Sequence, residues 1–203
     1  MTEHRGFQSA GAYRSASGFT LVELMITLLV AFILLALALP SFREMSIRMK
    51  VTSNTNNLMI AINLARSEAA KRGIPVALIA NTGTGAAAWG NSGWYVQASN
   101  LDTASPPNVV FTGGSAYEVR AFGPLDPNYN VTSNATTTAC TGACTSAGQI
   151  VFDSSGSLAG ANEVDLNVCR PDGNMAQENH IIVQQSGVAT SYRGTAGSPA
   201  PSC

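Results

Sequence analysis

The chain has 203 residues, which is room for one ordinary domain with an added segment and short for two full domains. Only 11% of residues are charged and the net charge is −1, so a general attraction for nucleic acid or anionic membrane is excluded. The charges are unevenly placed. Between positions 43 and 72, Arg43, Arg48, Lys50, Arg66, Lys71 and Arg72 outnumber Glu44 and Glu68, whereas from Gly73 onward three basic residues face eight acidic ones, a net −5. The abundance of Gly, Ser, Thr, Asn and Ala reads as loop-rich β structure or a secreted surface.

Residues 1–18 are polar and carry Arg5 and Arg14. Residues 19–39, FTLVELMITLLVAFILLALAL, form an apolar run long enough to cross a bilayer core, which needs roughly 20 residues in a helix. A secretory signal would place a shorter apolar run before a small-residue cleavage site. Here the polar leader comes first and the run continues into Pro40 and further helix. Glu23 interrupts the run. A carboxylate in hydrocarbon is costly unless it is paired or lies near the interface, so Glu23 is either an interfacial acid or a group kept for pairing with another subunit. Basic residues flank the span on both sides and do not decide its orientation.

After Pro40 the period remains helical. Val51, Thr55, Leu58, Ile62, Ala65 and Ala69 recur at three- and four-residue spacing and share one face, the expected core stripe. Lys71 and Arg72 suit a helix C-terminus, Gly73 is a natural stop, and Pro75 cannot continue the helix. A helix over 19–72 would be roughly 80 Å long, with Pro40 expected to kink or locally melt it.

From Gly73 onward the runs are short and β-like: 75–80, 94–98, 108–111, 117–122, 149–153, 163–169 and 180–185. In EVDLNV, Val164, Leu166 and Val168 fall on one face. Asp153-Ser-Ser-Gly156 reads as a tight turn, and 126–148 as the longest irregular stretch. Cysteines stand at 140, 144, 169 and 203. The C-x3-C spacing of Cys140 and Cys144 is not the usual zinc pair, so two disulfides in an oxidising compartment are expected. Three pairings are possible; Cys140 with Cys144 and Cys169 with Cys203 is favoured. All four lie beyond the apolar span, which argues that the C-terminal part faces the periplasm or the outside.

No constellation points to an enzyme. His4 lies in the leader, and His180 reads as a surface residue at a strand end. Asp153 and Asp165 read as turn and strand surface positions rather than an acid pair. Gly83-Thr-Gly85 is too short for a nucleotide fingerprint. Trp89, Trp94 and Tyr95 are expected in the core under the sheet rather than as a stacking platform. No cofactor, metal or small-molecule substrate is expected.

The segment SGFTLVELMITLLVAFILLALALPSF resembles the class III signal of type IV pilins and pseudopilins: Gly18, Phe19, Thr20, Leu21, Glu23, Leu24 and Pro40 match the family pattern. The resemblance implies cleavage after Gly18 by a prepilin peptidase and N-methylation of Phe19. It also implies pairing of Glu23 with the new amine of a neighbouring subunit. Further on, NLARSEAAKRGIPV, IVFDSSGSL, VCR and IIVQQSG resemble the GspH/FimT group of minor pilins and pseudopilins.

The resemblance implies an α+β, type IV pilin-like fold in three parts: a leader at 1–18, a long helix at 19–72 with 19–39 transmembrane, and a β-rich head at 73–203 on an antiparallel sheet. It implies a minor pilin near the tip of a filament, promoting its assembly. The alternative is the H-type minor pseudopilin of type II secretion. Partners would be other minor and major pilins or pseudopilins, with the chain held in the inner membrane, head in the periplasm, until it joins a surface or periplasmic filament. DNA-binding members resemble the chain too, but they carry a basic G-R-x-R near the C-terminal end, where this sequence reads Ser186-Gly187-Val188-Ala189-Thr190 with only Arg193 nearby. That departure and the acidic head argue against a DNA-uptake role.

Overall fold

A computed structural model describes residues 18–81, 89–90, 93–99, 111, 117–135, 144–146 and 148–194. The leader up to residue 17, the Gly83-Thr-Gly85 turn, Cys140, Cys203 and all of the expected 108–111 strand but Phe111 lie outside the described residues. The chain divides into two compact units, Met1–Glu44 and Met45–Cys203. Helix α1, Leu21–Arg72, contributes to both.

In the first unit, helix formation starts from a cap. The Thr20 hydroxyl accepts the Glu23 N–H at 3.2 Å, and the Thr20 carbonyl accepts the Leu24 N–H at 3.2 Å. Thr20 is therefore the N-cap, and Glu23 sits in the first turn, where a carboxylate suits the helix dipole. Every side chain from Leu21 to Leu39 is exposed, so this stretch is apolar on all sides. The local melting expected at Pro40 does not occur, as the helix continues through it. Pro40 removes one backbone bond, and the residues on either side stay helical, Leu and Ala before it and Ser41, Phe42, Arg43 and Glu44 after it.

In the second unit the same helix becomes one-sided. Val51, Thr55, Leu58, Ala61, Ile62, Ala65 and Ala69 are buried, which is the expected stripe with Ala61 added. The helix stops at Gly73, whose φ is +66°, with its N–H on the Ala69 carbonyl at 2.9 Å.

Against this stripe pack eight strands: β1 (Val76–Ala80), β2 (Trp94–Ala98), β3 (Glu118–Phe122), β4 (Asn130–Ser133), β5 (Gln149–Phe152), β6 (Glu163–Cys169), β7 (Asn179–Gln184) and β8 (Ala189–Arg193). They form two four-stranded antiparallel sheets, ordered β3-β2-β1-β5 and β4-β6-β7-β8, where one sheet was expected. The strands are only 4 to 7 residues long, and two narrow sheets can both reach the helical stripe. A single hydrophobic cluster holds the stripe, Trp89, Trp94 and Val96 beside the first sheet, and Val164, Leu166, Ile181 and Val183 of the second. Trp89 and Trp94 are core residues as expected, whereas Tyr95 is only half-buried.

Three sequence-distant segments meet at Arg66. Gly156, at φ +83°, lies against the Arg66 side chain, and Gly187, at φ +77°, lies against both Arg66 and the Gly156 carbonyl. A Cβ at Gly187 would stand 2.0 Å from that carbonyl oxygen, whereas one at Gly73 would meet nothing within 4 Å. Gly187→Ala should therefore cost about 3 kcal/mol, backbone strain and overlap combined, and Gly73→Ala about 1 kcal/mol for strain alone. Urea unfolding followed by near-UV tryptophan dichroism checks this; equal losses for the two variants would contradict the packing at Arg66.

Candidate functional site

The N-terminal constellation occupies the start of the first unit. Phe19 is 82% exposed and Gly18 precedes it, with no atom of the described residues near enough to obstruct a Cβ there. Among the described residues nothing covers the Gly18–Phe19 bond, where cleavage is expected. Thr20 places Glu23 one turn from Phe19 with its backbone already bonded, and the Glu23 side chain is exposed. Beyond it Val22, Leu24, Met25, Ile26, Leu28 and their successors all face outward. Such a surface is stable only when lipid or other apolar helices cover it. Among the described residues this is the one helix long and apolar enough to cross a membrane.

The head contains polar chemistry that the sequence pattern hid. Asp165 and His180 were expected at the surface, yet they are 5% and 1% exposed. Across the second sheet Asn167 pairs with His180, and His180 with Tyr192. The His180 and Tyr192 rings stack with centroids 5.1 Å apart. His180 Nδ1 approaches Asp165 Oδ1 at 3.5 Å, and the Tyr192 hydroxyl donates to Asp165 Oδ2 at 3.4 Å. Next to them Asn167 Nδ2 donates to the buried Glu178 carboxylate at 2.8 Å. Burial raises the Asp165 carboxyl, against the lowering effects of His180 and Tyr192. Burial, and then the charge of Asp165, push the Tyr192 phenol up to about 12. Alternation in β6 does place Val164, Leu166 and Val168 on one face, but the opposite face is buried as well. Asp165 and His180 are buried and Tyr192 is half-buried, and their contacts tie β6, β7 and β8 in one register.

Asp153 stands where expected, in the turn after β5. Its Oδ1 accepts the Ser155 and Ser157 N–H groups at 2.8 and 3.1 Å, and its carbonyl accepts the Gly156 N–H. Burial works to raise its carboxyl, and the bonds from Ser155, Ser157 and Gly156 outweigh that and lower it. Asp153 and Asp165 form no pair. Cys144 and Cys169 are disulfide-bonded sulfurs, and no free cysteine is found among the described residues. No group of three potential metal ligands occurs among the described residues.

Arg170 follows β6 with its side chain wholly buried. It forms a two-pronged pair with Asp172 at 2.8 and 2.7 Å and also donates to Gln177 at 3.2 Å. The Arg170 guanidinium holds the Asp172 carboxyl at about 2, below its ordinary 3.8. A depressed carboxyl contributes stability that is complete above its unfolded value and is lost as pH falls through the folded one. Asp172→Asn should thus cost about 1–3 kcal/mol near pH 6, less than a fully buried pair because the Asp172 side chain is 37% exposed. The gap between the two proteins should close between about pH 4 and pH 2. Urea midpoints measured across that range check it, and a pH-independent gap would contradict the pairing.

Comparison with known proteins agrees with this arrangement. Residues 54–187 match the family model described as type II transport protein GspH, and residues 13–39 match the prokaryotic N-terminal methylation motif. Among solved structures the chain is similar to the type IV minor pilin FimU of Pseudomonas aeruginosa. The TM-score is 0.53 at 19% identity, over 77% of this chain and 96% of that one. A second crystal form of FimU gives 0.50 at 17% identity, over 70% and 91%. The minor pseudopilin EpsH from the type 2 secretion system of Vibrio cholerae gives 0.43 at 11% identity, over 71% and 97%. The likeness to FimU is one of fold. No curated protein sequence matches this one significantly.

Proposed function

The chain belongs to the GspH family, and we propose from that membership that it is a minor subunit of a type IV pilus-like filament, placed near the tip and promoting assembly. The observation that carries the reading is the capped helix start. Gly18 and Phe19 stand open, Glu23 sits one turn away, and an apolar surface continues to Leu39 with no partner among the described residues.

In this reading the leader holds the precursor until a prepilin peptidase cuts after Gly18. The cut frees the amine of Phe19, which is then N-methylated. A positive amine and the Glu23 carboxylate are each costly alone in an apolar filament core. Paired between neighbouring subunits they neutralise each other, and because the pair demands good geometry it selects one stagger of helices. The subunit waits as a single-pass inner-membrane protein with its head in the periplasm. The disulfides, proposed as Cys140 with Cys144 and Cys169 with Cys203, suit that compartment. Its partners are other minor and major pilins, and its role is structural rather than catalytic.

A second reading, the H-type minor pseudopilin of type II secretion, is favoured by the description of the matching family itself. It shares every step above and differs in the filament that is built. DNA uptake is not proposed. The turn into β8 and the start of that strand carry no basic residue at 186–190, and a head with net −5 from Gly73 onward repels a phosphate backbone.

Gly18→Leu should leave the precursor uncut, read as a mature mass that still includes residues 1–18. A trimmed Gly18→Leu product would overturn the cleavage assignment. Glu23→Ala should insert into membranes normally and drop at least about tenfold in filaments sheared from cells, the loss expected for a buried pair left with one partner. Recovery of Glu23→Ala at the wild-type level would overturn the pairing.

A further inference from the structure

A cleft that the assembly constellation does not use lies within the second unit, between α1 and the end of β3. Its volume is about 270 Å³, and it is lined by Asn54, Asn57 and Ile60 of the helix, Trp94, Arg120 and the run from Ala121 to Leu125. That is the size of one side chain rather than of a cofactor. Its far wall is built closely. Gly93, at φ +75°, lets the Phe122 carbonyl approach to where a Cβ would be 2.2 Å away, and the Leu125 N–H bonds to the Gly90 carbonyl at 3.1 Å.

Apart from the Asn54 and Asn57 amides, which can also accept, the polar side chains of this cleft only donate hydrogen bonds. Trp94 is 1% exposed, yet its indole Nε1–H is buried without a hydrogen-bond partner, and Asn54 Nδ2 is in the same position. Arg120 lies at the mouth with its guanidinium 5.0 Å from the Phe122 ring centroid, and it makes no ion pair among the described residues. Among the described residues no Asp or Glu lines the cleft. Indole and guanidinium groups can only donate, and a buried unpaired donor costs about 1–3 kcal/mol. Ile60, Phe122, Pro124 and Leu125 supply apolar contact around these donors.

The complementary object is a carboxylate on a short apolar stem. We propose that this cleft receives one acidic side chain, Asp or Glu, presented by a neighbouring subunit. The source of that side chain rests on the filament reading; the chemistry of the cleft does not. A neighbour fixed in a filament presents its side chain at high effective concentration, so a weak single-residue contact becomes sufficient to fix how two heads meet.

The test uses the full chain in detergent micelles with 15N-labelled tryptophan, the two indole resonances being assigned through Trp94→Phe. Acetyl-Ala-Glu-Ala-amide should shift the Trp94 indole resonance saturably and leave that of Trp89 in place. Its Gln counterpart should bind about tenfold more weakly or less, since a hydrogen bond to a charged group is lost. Arg120→Gln, an exposed change whose intact fold is verified by an unmoved Trp89 resonance, should abolish the response to the Glu peptide. No shift, or equal shifts with the Glu and Gln peptides, would overturn the proposal. Sodium acetate binding as tightly as the peptide would overturn the subunit as the source in favour of a free carboxylate. None of these outcomes depends on leader cleavage or filament recovery, so the cleft and the filament reading fail separately.

Discussion

A single helix in this protein has to be stable in two media, and that requirement organises the rest. Up to Leu39 it is apolar on every side, which suits lipid or a sheath of like helices. From Val51 to Ala69 only one stripe is buried, which suits a helix lying on a sheet in water. The helical backbone is continuous between these regimes because Pro40 removes only one of its bonds. The head strands are short, and their sheets are completed by the stripe, which shares one hydrophobic cluster with both of them.

Within the head, close packing is secured where the sequence looks least remarkable in composition. Arg66, Gly156 and Gly187 come from the helix and from two separate turns, and they touch because the two glycines have no Cβ. These residues belong to the ARSEA, FDSSG and QQSG segments that carry the family resemblance, so three motifs that look independent along the chain form one structural junction. The buried Asp165, His180 and Tyr192 group acts differently. It is costly to bury, and it tolerates little slippage of β6, β7 and β8 past one another.

The elements with strong periodicity were legible in the sequence. The apolar run, the stripe, the stop at Gly73 and strands β2 and β6 stand where the pattern puts them, and β1, β3, β5 and β7 lie within a residue of it at each end. β4 and β8 were missed because NVTS and ATSYR have the composition of turns and earn their strand form only by pairing with β6 and β7. The second sheet followed from the same omission. The burial of Asp165 and His180 was not legible either, because alternation shows that a strand has two faces but not whether the second is covered. The proposed assembly residues Gly18, Phe19, Glu23 and Pro40 come from one contiguous segment. The cleft at Trp94 and Arg120 was not, since it joins helix, strand and loop residues far apart in the chain.

The filament role itself is tested most directly by the amount of surface pili sheared from cells lacking this gene. The account predicts a severe loss that a wild-type copy restores. Unchanged pili on cells shown to lack the protein would contradict it.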